Sequence, residues 1–139
     1  MKKSKNAKRY KTAGVGLKTT ISADGVKGFF ARGKIIAKLV DRGKAIPRKR
    51  IINFDTPEEM LSVLTKERRK LMLLLRKGAF SISQITRLTH RDRSVITKDV
   101  KLLEYYGLVT VSEEVNPGHG HHKIVHAISK YPISLEATI

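Results

Sequence analysis

Residues 81–108 decide how this chain folds, and they read SISQITRLTHRDRSVITKDVKLLEYYGL. The segment opens with Ser-Ile-Ser-Gln at 81–84, a capping-box pattern in which a hydroxyl is followed three residues later by an amide. This pattern predicts the start of a short helix. Thr-His-Arg at 89–91 then predicts a turn, and a longer helix is expected over residues 92–106. Gly107 is the residue type that commonly ends a helix.

The sequence after this segment predicts a β-hairpin. Two strands are expected over residues 108–115 and 122–128, joined by Asn-Pro-Gly-His-Gly at 116–120, whose residue types permit tight or positive-φ geometry. A short helix, a turn, a longer amphipathic helix and a hairpin, in that order, describe a winged helix-turn-helix. The predicted fold class is therefore mainly α with a small β-hairpin: a winged helix-turn-helix preceded by a strand–helix N-terminal segment.

The longer helix has two chemically different sides. Ile96, Val100 and Leu103 recur at helical spacing and form one apolar stripe, which is expected to face the core. The opposite side then carries hydrogen-bonding and cationic side chains, as on helices that read the major groove of DNA. These predicted DNA-contacting residues are Arg93, Ser94, Thr97, Lys98 and Lys101.

Individual roles follow from position along this helix. Arg93 or Lys98 can reach guanine edges, whereas Lys101 lies farther along and is expected to contact a phosphate. The N-terminus of the short helix can accept a backbone phosphate, and the hairpin tip can touch phosphates or the minor groove. The other DNA contacts predicted here are Ser81, Gln84, Arg91, His121, His122 and Lys123.

The charge of the chain points to a polyanionic partner. Among its 139 residues, 29 Lys and Arg oppose 12 Asp and Glu, for a formal net charge of +17. Residues 1–50 hold 16 of the basic side chains and 2 of the acidic ones. Because each neutralised phosphate releases a condensed counterion, double-stranded DNA is the expected partner. Charge alone leaves an acidic membrane surface or an acidic protein open.

The chain divides into three predicted segments. Residues 1–16 are expected to form a flexible basic arm, too polar to bury an apolar surface. Residues 17–50 predict a strand followed by a helix that Asp24 caps and that is the expected dimerisation element. Residues 51–139 predict the winged helix-turn-helix DNA-binding domain. The arm is expected to contact phosphates through Lys2, Lys3, Lys5, Lys8 and Arg9.

The third segment contains further helix and strand signals outside the helix-turn-helix. Thr-Pro-Glu-Glu at 56–59 combines an N-cap, a proline at the first helical position and a glutamate three residues after the cap. Thr65 predicts another N-cap, followed by a helix over residues 66–77. Residues 131–136 alternate in polarity and predict a final strand.

Membrane proteins and disulfide-rich secreted proteins are not expected. The chain has no cysteine, and no apolar run approaches the roughly 20 residues needed to span a bilayer. No apolar stretch follows the basic N-terminus to make a signal peptide. We therefore expect a soluble, cytoplasmic, nucleoid-associated protein with no membrane partner.

Catalysis, cofactors and metals are not expected either. The sequence contains no glycine-rich phosphate loop, no nucleophile elbow and no His-Glu-x-x-His pattern. The histidines at 119, 121, 122 and 126 are a residue type that binds zinc or nickel. Without cysteine, a wing tip that touches DNA is the favoured interpretation of these histidines. The prediction is no enzyme, no cofactor and no metal.

Several short motifs resemble one known family. They are Leu-Thr-Lys-Glu-Arg at 64–68, Ser-Ile-Ser-Gln-Ile at 81–85, Arg-Asp at 91–92, Lys-Asp-Val at 98–100, and Leu-Glu-Tyr-Tyr-Gly-Leu at 103–108. Over about residues 27–136 the chain is similar to small winged-helix DNA-binding proteins of archaea and bacteria, MarR-like in fold, some of which are described as antitoxins. The resemblance implies a dimeric repressor without catalytic activity that controls its own operon. An antitoxin that binds a partner toxin, and a non-specific nucleic-acid-binding protein, remain the alternatives.

Overall fold

The computed structural model describes residues 16–118 and 120–138. The predicted basic arm, with Lys2, Lys3, Lys5, Lys8 and Arg9, lies outside the described residues. Five helices and six strands are defined in the described part, here numbered in chain order. They are β1 (Lys18–Ser22), α1 (Gly25–Asp41), β2 (Lys49–Asn53), α2 (Pro57–Val63), α3 (Lys66–Leu75), β3 (Phe80–Ser81), α4 (Ile82–Thr89), α5 (Arg93–Tyr105), β4 (Val109–Asn116), β5 (Gly120–Ala127) and β6 (Ser134–Glu136).

These elements form two compact units. The strand–helix unit comprises Leu17–Leu64 and Tyr131–Ile139, and the winged unit comprises Thr65–Lys130. The sequence predicted a boundary near residue 51, whereas residues 51–64 lie in the strand–helix unit. The reason is that β2 pairs with β1 and therefore belongs to the same sheet. In the part of the chain that the structure describes, no helix combines the length and the apolar character that crossing a membrane requires.

The strand–helix unit is built on a three-stranded parallel sheet. Its strand order is β2-β1-β6, so the central strand β1 pairs with one strand that follows α1 and with the last strand of the chain. Ile21 of β1 is fully buried, and its apolar neighbours in the core are supplied largely by the segment after β2. These buried residues are Phe54, Met60, Val63 and Leu64. The predicted N-cap at Thr56 is present, with its Oγ1 accepting from the Glu59 amide at 3.1 Å.

The turn between β1 and α1 is tied to the end of β2. Gly25 has a φ of +59°, a conformation that glycine adopts without the strain a side chain would add. Its amide donates to the Phe54 carbonyl at 3.2 Å, and its carbonyl accepts from Asn53 Nδ2 at 2.7 Å. A Cβ on Gly25 would also lie 3.0 Å from the Asp55 carbonyl oxygen. The start of α1 is therefore fixed by β2.

Asp24 stands at the N-cap position of α1, as predicted, but its side chain makes no capping hydrogen bond. Instead its carboxylate accepts from Arg32 Nη1 at 2.8 Å and lies across Gly28, where a Cβ would clash with it. Partial desolvation raises the pKa of Asp24, but hydrogen bonds from Arg32 and Ser22 and the charge of Arg32 outweigh it and lower that pKa. This ion pair is exposed, so it adds little to stability.

The winged unit places α3, α4 and α5 beside a three-stranded antiparallel sheet. Its strand order is β3-β5-β4, and β4 and β5 form the hairpin that the sequence predicted. The core is continuous across helices and strands. Its buried residues are Leu71, Leu75, Ile82, Ile85, Ile96, Val100, Leu103, Leu108, Val109, Ile124, Val125 and Ile128.

The helices of the helix-turn-helix begin and end at the capping residues that the sequence predicts. Ser81 Oγ accepts from the Gln84 amide at 3.1 Å, and Gln84 Oε1 accepts from the Ser81 amide at 2.8 Å, which completes the predicted capping box. His90 ends α4 in the left-handed conformation with a φ of 55°. Gly107 follows α5 with a φ of 74°. A winged helix-turn-helix preceded by a strand and a helix is present, and the predicted fold class is confirmed.

Candidate nucleic-acid interface

The orientation of α5 matches the predicted apolar stripe. Ile96 and Leu103 are completely buried and Val100 nearly so. On the other side, Arg93, Ser94, Lys98 and Lys101 are exposed, and Thr97 is half-buried with its Oγ1 donating to the Arg93 carbonyl at 2.8 Å. The helix therefore presents a continuous polar and cationic flank to solvent.

A buried carboxylate fixes this orientation. Asp99 lies on the inner side of α5, with its side chain 8% exposed. Its Oδ1 accepts from Arg68 Nε at 3.0 Å, and its Oδ2 lies 2.9 Å from Arg91 Nη2. The second contact is an ion pair whose N–H is not aligned for a hydrogen bond. Because Arg68 is on α3 and Arg91 is in the turn before α5, the triad holds the rotation of α5 relative to both.

The sequence anticipated one half of this triad. Asp92 and Asp99 were expected to form ion pairs with Arg91 or with neighbours such as Lys98, or to help the helix start, and the structure contains the pair of Asp99 with Arg91. Arg68 was missed, because it is 31 residues away from Asp99. The available signal was the position of Asp99 beside Val100 on the buried side of the helix, where a carboxylate requires a charged partner.

Arg91 was also predicted to contact DNA, and the structure gives its guanidinium a partner within the protein. Its side chain is 23% exposed and is paired with the nearly buried Asp99. Withdrawing the guanidinium to bind a phosphate would leave part of that carboxylate uncompensated. We therefore assign Arg91 a positioning role beside α5.

A cleft of about 350 Å³ lies between α5 and the hairpin. Ile82, Val100 and Val111 supply its apolar lining, and Glu104 adds one acidic group. The structure brings together here six of the residues that the sequence predicted as DNA contacts. They are Arg93, Thr97 and Lys101 from α5 and His121, His122 and Lys123 from the wing. Ser94 and Lys98 lie on the same helix outside this lining.

The wing strand carries its basic groups opposite acidic ones. In the β4–β5 register His122 pairs with Glu114 and Lys123 with Glu113. His122 Nε2 is 3.8 Å from Glu114 Oε2, close enough for an ion pair when the imidazole is protonated. His121 and Lys123 are exposed, whereas His122 is half-buried. The wing therefore offers Lys123 as its permanent cation to the cleft.

The polar side chains at the N-terminus of α4 form hydrogen bonds within the protein. The Ser81 hydroxyl and the Gln84 amide side chain are both occupied by the capping box. The structure adds Ser83, which the sequence interpretation passed over: its Oγ accepts from Arg93 Nη1 at 2.7 Å. Ser83 is exposed and links α4 to the start of α5, which orients one edge of the Arg93 guanidinium while its other N–H donors stay available.

The histidines do not form a metal centre in the part of the chain that the structure describes. No group of three or more His, Asp or Glu side chains there is arranged to hold an ion. His126 is buried in β5, with its Nε2 2.8 Å from Ser112 Oγ, and so it serves the hairpin rather than the wing tip. His119 lies outside the described residues, and the prediction of no metal stays a prediction.

One family model matches the winged part of the chain. A family described as HVO_A0114 matches residues 63–127, just under half of the chain, and this description names no function. No curated protein matches the sequence. The matched stretch contains the helix-turn-helix, the wing strands and the Arg68–Asp99–Arg91 triad.

Two solved structures are similar to this chain at low sequence identity. A transcriptional regulator HlyU from Vibrio vulnificus CMCP6 is 13% identical, covers 72% of this chain and 81% of its own, and has a TM-score of 0.43. A transcriptional regulator homologue protein from Pyrococcus horikoshii OT3 is 18% identical, covers 50% of this chain and 75% of its own, and has a TM-score of 0.39. The assignment of the winged fold rests on the element order and packing of this chain, not on these likenesses.

Proposed function

We propose that this protein is a sequence-specific DNA-binding transcriptional regulator, acting as a repressor, that inserts α5 into the major groove. The observation that supports this most strongly is the cleft between α5 and the wing. Two faces meet there, each carrying cations, and the inner side of α5 is fixed to the core. A helix with a fixed rotation presents the same side chains to every base pair it meets, which sequence recognition requires.

The groups around the cleft suit DNA in two ways. Arg93, Lys101 and Lys123 are cations that favour phosphate oxygens, and their charge acts on any sequence. Lys98 and Ser94 lie on the exposed flank near the start of the helix, where side chains of a recognition helix reach base edges. The first set supplies affinity and the second supplies discrimination between sequences.

A homodimer is part of this proposal. One recognition helix covers too few base pairs for useful specificity, whereas two helices related by a two-fold axis read an inverted repeat. Because a repressor acts by occupying its site, this architecture needs no catalytic group and no cofactor. The family resemblance implies that the protein controls its own operon.

Selection from a random DNA pool tests the proposed function. Purified full-length protein is expected to enrich one inverted-repeat sequence and to bind it about 10³-fold or more tightly than random duplex at physiological salt. Enrichment of no sequence, together with a steep salt dependence, would instead identify a non-specific nucleic-acid-binding protein. Absence of any DNA binding at low salt would reject the proposal.

The Lys98→Ala variant separates base contact from phosphate contact. Loss of a base contact is expected to weaken binding to the selected site by about 1–3 kcal/mol while leaving random DNA almost unaffected. Titrations of both duplexes measure the two losses, and Lys66→Ala on α3 is the matched control for removal of one exposed lysine. Equal weakening on both duplexes would show that Lys98 contacts a phosphate.

Deletion of residues 1–12 tests the basic arm. The segment contains Lys2, Lys3, Lys5, Lys8, Arg9 and Lys11, and each phosphate contact contributes about 0.9 to the slope of log K against log salt. The truncated protein is expected to bind all sequences more weakly, with a flatter slope and an unchanged ratio between selected and random DNA. A slope equal to that of the full chain would show that the arm does not engage DNA.

An antitoxin function remains the second candidate, because α1 exposes an apolar face that a protein partner can cover. In that case a small protein encoded next to this chain is expected to co-purify with it and to protect that face from solvent. Co-expression with the neighbouring open reading frame, followed by affinity purification, tests this alternative.

A further inference from the structure

One side of α1 is an exposed apolar face. The exposed fractions are 66% for Val26, 65% for Phe29, 62% for Phe30, 43% for Ile36 and 57% for Val40. These residues recur at intervals of three and four, and Gly33 and Ala37 fall among them, so they form one continuous strip along the helix. We refer to this strip of seven residues as the α1 face.

The stability of α1 requires that something cover this face. The buried residues of the helix are Gly25 and Gly28, both in its first turns, and beyond them the helix is exposed or half-buried. A 17-residue helix with two internal glycines is marginal in water without tertiary packing. The packing that α1 needs is therefore absent from the described part of a single chain.

We propose that the α1 face is the two-fold interface of a homodimer, in which α1 of a second copy packs antiparallel against it and the two helices cross at Gly33. This deepens the proposed function, which requires a dimer but leaves its surface open. The position of Gly33 supports the crossing point. A Cβ there would meet nothing within 4 Å, so the glycine serves no need within its own chain. Its lack of a side chain lets another backbone approach closely.

The α1 face is self-complementary in the antiparallel arrangement. Positions equally distant from the crossing point meet, so Val26 of one copy lies opposite Val40 of the other. The two-fold axis also keeps each side of the strip on the same side. Phe30, three residues before Gly33, therefore lies opposite Ala37, four residues after it, and Phe29 lies opposite Ile36 on the other side of the strip. One phenylalanine thus faces a small side chain and the other a branched aliphatic one, so both are in apolar surroundings.

Charged side chains line one edge of the α1 face. Lys27, Lys34 and Lys38 follow one edge of the face, and Asp41 lies on the same edge at the C-terminal end of the helix. Lys27 and Asp41 are each seven residues from Lys34. Antiparallel pairing brings Lys27 of one copy near Asp41 of the other, but it also places the two Lys34 side chains opposite each other and Lys38 near Lys27. We therefore infer the direction of pairing from the apolar side chains and not from these charges.

The area of the face is sufficient for a dimer. From the exposed fractions and ordinary side-chain areas, it comprises on the order of 600 Å² per copy, or about 1,200 Å² for the pair, which is the lower end of the range for specific interfaces. An interface of this size with two phenylalanines per copy suits a dimer in which a few central side chains contribute most of the affinity.

Sedimentation of the full chain without DNA tests the interface. The wild-type protein is expected to sediment as a dimer at micromolar concentration. Phe30→Glu and Gly33→Leu are each expected to raise the dimer dissociation constant about 30-fold or more. The second variant keeps the helix stable, because leucine is a better helix former than glycine and its Cβ meets open space.

Ile35→Glu is the matched control. Ile35 is 60% exposed on the opposite side of α1, so its replacement removes a similar apolar area without touching the proposed interface. This variant is expected to remain dimeric. A monomeric wild-type chain, or dimers of equal strength in Phe30→Glu and Ile35→Glu, would overturn the proposal. Binding of a monomeric wild-type chain to anionic phospholipid vesicles through Phe30 would also overturn it, since the α1 face would then bind a membrane.

Disulfide cross-linking tests the direction of pairing, because the natural chain contains no cysteine. Lys27→Cys protein mixed with Asp41→Cys protein is expected to form a cross-linked heterodimer rapidly. In the antiparallel arrangement the two Lys27 positions are roughly 20 Å apart along the helices, too far for a disulfide. Cross-linking of Lys27→Cys with itself at the rate of the mixture would contradict the antiparallel pairing.

These measurements do not depend on the DNA-binding proposal. Sedimentation and cross-linking use protein alone, so a dimer through α1 stands even if no DNA sequence is selected. Conversely, DNA selection with Phe30→Glu protein is expected to recover half of the inverted repeat with lower affinity. Full-site binding by a monomeric variant would show that the recognition unit acts without this interface.

Discussion

The Asp99→Asn variant is expected to lose about 2–3 kcal/mol of its free energy of unfolding, a large part of what a domain of this size has available. Removing one partner of a buried ion pair leaves the other charges uncompensated. Here Arg68 and Arg91 keep side-chain exposures of 22% and 23%, and this access to water reduces the cost below that of a fully buried pair. Urea denaturation followed by circular dichroism measures the change.

Asp92→Asn is the matched control for this substitution. Asp92 occupies the N-cap position of α5 and its side chain makes no capping hydrogen bond. Asparagine is as good an N-cap residue as aspartate, so the control is expected to change the unfolding free energy by less than about 0.5 kcal/mol. Equal stability of the Asp99 and Asp92 variants would mean that the triad does not hold α5 in place.

The paired substitution of Lys101 and Lys123 by alanine is expected to have the largest effect on DNA binding. The two lysines lie on opposite sides of the cleft, one on α5 and one on the wing. If each contacts a phosphate, their loss lowers the slope of log K against log salt by about 2 and weakens binding roughly 10–100-fold at low salt. Because phosphates carry no sequence information, the ratio between selected and random DNA is expected to change little.

The double variant Lys66→Ala/Lys70→Ala is the control, because it removes the same amount of charge as the substitution of Lys101 and Lys123. Both lysines are exposed on α3 and neither lines the cleft. This variant is expected to retain nearly the wild-type salt slope, since it alters only the long-range field. Identical slopes for the two double variants would show that net charge, and not the cleft, governs binding.

Local signals predicted the winged unit well. The hydroxyl and amide of Ser81 and Gln84 form the capping box that their spacing predicts, and Ile96, Val100 and Leu103 are buried as one stripe. Such features depend on residues a few positions apart, which a single sequence displays directly. The candidate site follows from them, since fixing the buried stripe of α5 also fixes its exposed flank.

Long-range pairing was less accessible to sequence reasoning. Strands were expected near β1 and β6, but their assembly with β2 into one parallel sheet was not, because the alternating pattern of a strand does not identify the strands that pair with it. The consequence was a domain boundary placed at residue 51, inside a unit that extends to Leu64. The ion pair of Arg68 with Asp99 was missed for the same reason.

The apolar periodicity of α1 also does not reveal what packs against its apolar face. Val26, Phe29 and Phe30 fit a helical face, which ordinarily packs on the domain core. In the structure that face is exposed, and the dimer that we propose would cover it. Periodicity identifies an apolar face but does not tell what covers it.

We propose that the flank of α5 and the neighbouring wing form one surface that contacts DNA. Amide chemical shifts of ¹⁵N-labelled protein, recorded as a selected duplex is added, test it most directly. We expect the largest changes on residues 93–101 and 120–123, with small changes on the buried side of α5 and on α3. Saturable DNA binding that leaves residues 93–101 unperturbed would contradict it.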